Sequence, residues 1–189
     1  GYDTVGSFVV HPPLGKFLIA LPMLLFGAHN SWTWRFCTAI FGTLAVLLLM
    51  LVAKKLFGSQ SAAVLSGLLL AIDGHAIVMS RTGMLDGILM FFILLAFYFL
   101  LLDRDKVRIK YQVMALRGQS KVIWARPWLV ACALALGLAT SVKWSGLYVA
   151  AFFGVYVVIS ETLFRRRLGT KEWLADGAIG QSVANLALM

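Results

Sequence analysis

Residues 60 to 102 form one predominantly apolar run, and residues 128 to 164 form another. As single helices at ~1.5 Å per residue they would be ~64 Å and ~55 Å long, about twice the hydrocarbon thickness of a bilayer. Each run must therefore fold back on itself where its polar residues fall, around Ser80 to Asp86 in the first and at "TSVKWSG" (140–146) in the second. A further apolar stretch at 34–53 ends at Lys54 and Lys55, and Trp32 and Trp34 mark an interfacial belt before it. The expected fold is all-α and polytopic, with spans at about 34–53, 60–80, 84–102, 128–142 and 146–164. The start of a further span is expected from about residue 177.

Composition agrees with that reading. Hydrophobic residues make up 61% of the 189, charged residues 13%, and the mean hydropathy is +0.88, well outside the range of soluble globular chains. The net charge of +9 does not point to nucleic acid, because the basic residues flank apolar runs instead of forming a stripe with interleaved aromatics. They read as topology signals and as contacts to membrane lipids. Cys37 and Cys132 lie inside apolar segments with no second Cys or His at ligand spacing, so neither a disulfide framework nor a metal site is expected, and no cofactor is implied. The segment 17–26 is too short to span. It follows "HPPLGK", whose prolines suit a helix start, and is expected to form a short interfacial helix within an outer loop covering residues 1–33. The chain starts at Gly1 with neither an initiator Met nor a signal peptide and ends inside an apolar segment, so it is expected to be part of one longer transmembrane domain.

Folding back the two long runs sends the loops at 54–59, 103–127 and 165–176 to one face. All seventeen lysines and arginines fall there except Lys16, Arg35, Arg81 and Lys143. By the positive-inside rule that face is cytoplasmic. The four exceptions sit on or near the opposite face, next to His11, His75, Asp73 and Asp86. An ionisable side chain at membrane depth costs about 2.5–3.5 kcal/mol on insertion scales, so it faces a cavity or a partner. Arg81 has a structural reading, pairing with Asp86 or snorkelling to headgroups, beside a functional one. Lys143, in a tight turn beside Trp144, has little stem length with which to reach water. Two cations and a carboxylate outside suit a phosphate-bearing ligand, the guanidinium bidentately and the ammonium as a point charge. Asp73 reads as a helix-end hydrogen-bond acceptor, and Arg35 equally as a headgroup anchor.

The strings "VVHPPLGKFLIA", "WTWRF", "SRTGMLDGILMFF" and "GLATSVKWSGLY" occur in the order and spacing of the protein O-mannosyltransferases, which the whole chain resembles. The cytoplasmic "LDRDKVR" is most similar to the bacterial branch. The resemblance implies a GT-C glycosyltransferase that moves mannose from polyprenyl-phosphate mannose to Ser or Thr hydroxyls of exported proteins, on the non-cytoplasmic side. For a bacterial chain that membrane is the plasma membrane. Arg35, Arg81 and Lys143 are the outer cations closest to the membrane, so at least two of them are expected to contact the donor phosphate, with His11, Pro12, Pro13, Lys16, Asp86 and Trp144 in support. The family's inverting displacement uses a carboxylate from an Asp-Glu pair upstream of HPP. No Asp-Glu pair occurs in this chain and "GYD" does not match it, so the pair is expected upstream of Gly1. No catalytic residue is assigned within residues 1–189, and these residues alone are expected to be inactive. A membrane transporter, or another GT-C transferase of lipid-linked sugars, is the alternative. A transporter would be expected to show inverted repeats or paired broken helices, which the sequence does not reveal.

Overall fold

The computed structural model describes residues 10–119, 121–169 and 179–189, and among these it contains α-helices and no strand. The helices are α1 (Leu14–Phe26), α2 (Thr33–Phe57), α3 (Gln60–Ile72), α4 (Gly74–Arg81), α5 (Leu85–Leu116), α6 (Pro127–Val142), α7 (Gly146–Arg167) and α8 (Gln181–Leu188). Gly1 and Asp3 lie outside the described residues. Lys171, Glu172, Asp176 and the expected start of a span near 177 lie outside them as well. Three helices, α2, α5 and α7, are long and apolar enough to cross a membrane, and α3 with α4 makes a fourth crossing if that bent pair is one span.

Local sequence explains where these helices start and stop. Pro127 occupies the first turn of α6, where its missing N–H is not needed. Gly58, at φ 64°, closes α2 by donating its N–H to the Lys54 carbonyl at 2.9 Å, a left-handed position that favours glycine. Ser59 then caps α3 by accepting from Ala62 N at 3.3 Å.

Two expectations change. The stretch 60–80 is not one continuous helix, because α3 and α4 meet at Asp73 with a 61° bend. Asp73 caps α4 through Oδ2, which accepts from Ala76 N at 2.8 Å. It is therefore a helix-end acceptor as expected, but at a break inside the run instead of at its end. The helix expected to finish at 102 continues as α5 to Leu116. Its charged continuation stays helical because Leu100, Asp103, Val107 and Tyr111, spaced three or four apart, are all buried on one face.

The core is built around α5 and α6. Cys132, Ala135, Ala139 and Val142 repeat along one side of α6, and each is almost wholly buried. In a lipid environment helices gain nothing by hiding apolar groups from water, so association rests on close packing, which small side chains permit. Ala96 and Leu100 of α5 and Phe153 and Val157 of α7 complete one cluster with this face, while Ile88, Leu89 and Phe92 meet Ala139 and Val142 in a second. The α6–α7 turn is a close backbone approach: a Cβ on Gly146 would lie 2.6 Å from Thr140 N and 2.7 Å from the Ala139 carbonyl carbon. These are backbone atoms and cannot swing aside. Gly146→Ala is therefore expected to lower the thermal unfolding midpoint of the full-length protein in detergent, with a loss of at least the ~1–3 kcal/mol of an overpacked site. Gly137→Ala, where a Cβ meets nothing within 4 Å, serves as the near-neutral control. Equal midpoints for the two variants would contradict this packing.

Candidate donor-binding site

The four sequence strings, distant along the chain, converge at one end of the bundle. Pro13 precedes α1, and Gly15 lies against the Leu85 side chain and the Val142 methyls, with room for no Cβ (2.5 Å to Leu85 Cδ2, 3.1 Å to Val142 Cγ1). Leu85 and Val142 are the chain neighbours of Asp86 and Lys143. Those two side chains pair across α5 and α6, Lys143 Nζ donating to Asp86 Oδ1 at 2.7 Å. Trp34, at the start of α2, packs on Gly83 in the turn before α5, where a Cβ would come within 3.0 Å of the indole. Arg35 stacks over the Trp34 ring at 4.4 Å.

Asp86 is held by Lys143 and not by Arg81, which settles the alternatives for that pairing. The pair is partly open, with 28% of the Lys143 side chain and 42% of Asp86 exposed. Arg81, the last residue of α4, is exposed, and no ion pair or side-chain hydrogen bond reaches it among the described residues. It lines a groove between α2, α3 and α4, with Met90 of α5 also in the lining. Arg35, Arg81 and Lys143 thus have three different surroundings: an indole face, an apolar groove and a carboxylate. Lys16, Pro13 and Trp144 are exposed, and Pro12 is half-buried. His11 is half-buried, and its Nδ1 is buried without a hydrogen-bond partner. Among the described residues no group of His, Cys, Asp and Glu is arranged to hold a metal ion.

At the opposite end lies a polar network that sequence reasoning missed. Arg126 and Arg165 count among the basic residues expected to face the cytoplasm, yet both are 3% exposed, and Asp103 and Glu161 are buried with them. Arg126 pairs with Asp103 and, at 2.6 Å, with Glu161, and it donates to Asn185 Oδ1. Tyr111 Oη and Asn185 Nδ2 both donate to Glu161 Oε2, at 2.8 and 3.0 Å. Gln181 bonds both backbone groups of Ile123, and Arg165 donates to the Lys121 carbonyl at 2.7 Å and stacks on Tyr111. One signal was available: Asp103 falls on the same helical face as the apolar Leu100 and Val107. The second half of each pairing is remote in sequence and carries no such mark.

The family model described as dolichyl-phosphate-mannose-protein mannosyltransferase matches residues 25–179. The chain belongs to this family. Among its relatives, the polyprenol-phosphate-mannose–protein mannosyltransferase of Mycobacterium tuberculosis is 38% identical over 175 residues, which covers 89% of this chain and 33% of that protein. The protein of the same name from Corynebacterium glutamicum is 40% identical over 174 residues, with the same shares. A dolichyl-phosphate-mannose–protein mannosyltransferase of Saccharomyces cerevisiae is 26% identical over 187 residues, or 88% of this chain and 24% of that protein. The chain thus spans about a third of the length of its bacterial relatives. No solved structure matches it significantly. The all-helical architecture is that of a GT-C membrane glycosyltransferase, and no comparison points to a transporter.

The two charged ends of this family member should respond differently to mutation. Arg126→Leu strips the partner from two buried carboxylates, for which about 3–5 kcal/mol of destabilisation is expected. Asp86→Asn removes a partly solvated pair and should cost no more than ~1 kcal/mol. Unfolding of the full-length protein in detergent, followed by tryptophan fluorescence, measures both, and equal losses would contradict the assignment.

Proposed function

We propose that this chain forms part of a protein O-mannosyltransferase that transfers mannose from polyprenyl-phosphate mannose to Ser or Thr hydroxyls of exported proteins. The observation that carries the reading is the convergence of the four family strings around the Asp86–Lys143 pair. The bacterial relatives' names supply the donor and the protein acceptor. The end bearing Asp86 and Lys143 is read as extracytoplasmic, because the basic residues gather at the other.

The chemistry follows from charge. As the glycosidic bond to the lipid phosphate breaks, the phosphate gains negative charge, and a cation fixed beforehand stabilises that charge without reorganising at the moment of reaction. At least two of Arg35, Arg81 and Lys143 contact the phosphate. Asp86 orients Lys143, and its engaged oxygen makes it a poor general base. The base is expected from the family's Asp-Glu pair, upstream of Gly1.

Two outcomes test this. In the full-length protein, Arg81→Gln and Lys143→Gln should each lower kcat/KM for polyprenyl-phosphate mannose by about 10–100-fold, which corresponds to the ~1.5–3 kcal/mol of one charge-assisted contact. Wild-type kinetics at limiting donor in both variants would sink the proposal. A severe loss of transfer in Asp86→Asn, with the acid limb of the residual pH–rate profile abolished, would instead make Asp86 the base. Orientation is tested separately, with single cysteines at Ser31 and Gln119 in a background lacking Cys37 and Cys132. A membrane-impermeant maleimide added outside intact cells should label position 31 and spare 119. Labelling of both from one side would refute the topology.

A further inference from the structure

The bend at Asp73 leaves space between α2, α3 and α4. The groove there has a volume of about 430 Å³, within the ~300–1,000 Å³ typical of small-ligand pockets. Its width comes from small side chains, among them Ala39, Gly42, Ala71 and Ala76, and its walls are completed by apolar residues such as Leu47 and Ile77. Gly42 is required for this arrangement, since a Cβ there would lie 2.1 Å from Ser80 Oγ and push α4 away from α2. Only two hydroxyls line the groove, and both donate within their own helices, Thr43 to the Ala39 carbonyl and Ser80 to the Ala76 carbonyl, at 2.9 and 2.8 Å. The single charged residue in the lining is Arg81, which has no ion pair or side-chain hydrogen bond among the described residues.

These features select among occupants. A peptide would bury most of its N–H and C=O groups against alanine, leucine and valine, with Arg81 the one unengaged donor among the described lining side chains, at a cost of several kcal/mol for each unsatisfied group. A free sugar faces the same deficit. A small water-soluble anion would gain from Arg81 and leave the apolar length unused. An apolar chain ending in an anionic head matches both parts, the chain against the small-residue walls and the head at the unpaired guanidinium.

We propose that this groove holds the prenyl chain of the lipid-linked donor next to its phosphate, with the phosphate at Arg81. The assignment rests on the mannosyl-transfer reading above and adds to it the path of the lipid: the chain leaves the site between α2 and the bent α3–α4 pair. An ordinary anionic phospholipid shares the chemistry of an apolar chain with a phosphate head, so the test separates the two sources.

The full-length protein in phosphatidylcholine nanodiscs is irradiated with a prenyl phosphate carrying a diazirine on its second isoprene unit, and the adducts are mapped by peptide mass spectrometry. Adducts are expected within 39–47 and 70–77. An excess of polyprenyl phosphate should suppress them several-fold, while an equal excess of phosphatidylglycerol leaves most of them. Ala71→Leu, which narrows the groove, should raise KM for a long-chain donor several-fold at unchanged kcat and reduce labelling. Ala39→Leu provides a second narrowing variant, and thermal unfolding identifies whichever of the two remains folded. Adducts confined to other segments, or equal competition by phosphatidylglycerol, overturn the proposal. If unlabelled wild-type protein transfers mannose to a Ser/Thr peptide while the groove takes no adduct, only the groove assignment falls. If it transfers none, the functional reading falls, and the labelling decides the groove independently.

Discussion

The pairing of Arg126 with Asp103 and Glu161 fixes the frame on which the other end of the bundle depends. Arg126 stands at the start of α6 and reaches α5, α7 and α8 at once through Asp103, Glu161 and Asn185. A buried guanidinium is tolerated only with its charge matched and its donors used, so these four elements have little freedom to slide. The consequence appears one helix length away. Seventeen residues separate Arg126 from Lys143 on α6, and seventeen separate Asp103 from Asp86 on α5. Because the two helices run antiparallel, a register that joins Arg126 to Asp103 also brings Lys143 to Asp86. At ~1.5 Å per residue the two ion pairs are ~25 Å apart, close to the thickness of a hydrocarbon layer. Each marks one border of the apolar segment shared by α5 and α6.

Between those borders the register is carried by small residues. Ala135 and Ala139 let α6 approach α5 closely, and Gly146 lets the chain reverse directly after Lys143. A looser turn would move Lys143 away from Asp86. The ion pair at the candidate site is therefore a product of packing as much as of charge.

Much of this was legible in the sequence because a bilayer restricts the possibilities. Apolar runs too long for one crossing must turn, and the turns must fall where Arg81, Asp86 and Lys143 lie. The convergence of "HPPLGK", "WTWRF", "GMLDG" and "SVKW" at one end follows from the same folding-back. What the sequence did not convey was which charge meets which. Arg81 and Asp86 are five residues apart and look like a pair, yet Asp86 binds Lys143 from another helix. The extension of α5 beyond 102 was hidden for a related reason. A run such as "LDRDKVR" reads as the end of a span, whereas its buried face depends on Arg126 and Glu161, which only the tertiary fold supplies.

The two ends also differ in how completely their polar groups are used, and this separates scaffold from site. At the basic end Asp103, Glu161, Arg126, Gln181 and Asn185 are buried and mutually bonded, so a ligand would have to break existing contacts to enter. At the other end Lys143 directs its charge to one oxygen of a half-exposed carboxylate, Arg35 rests on an indole, and Arg81 faces an apolar groove. Cations placed at the border of hydrocarbon with few anionic partners among the described residues are costly to keep. In the proposed donor-binding reading a lipid phosphate offsets that cost, because it reaches the border from within the membrane and brings its charge to side chains already held in place. The helices are thus locked at the closed end, whereas at the open end Lys143 has a carboxylate partner, Arg35 an indole, and Arg81 neither among the described residues.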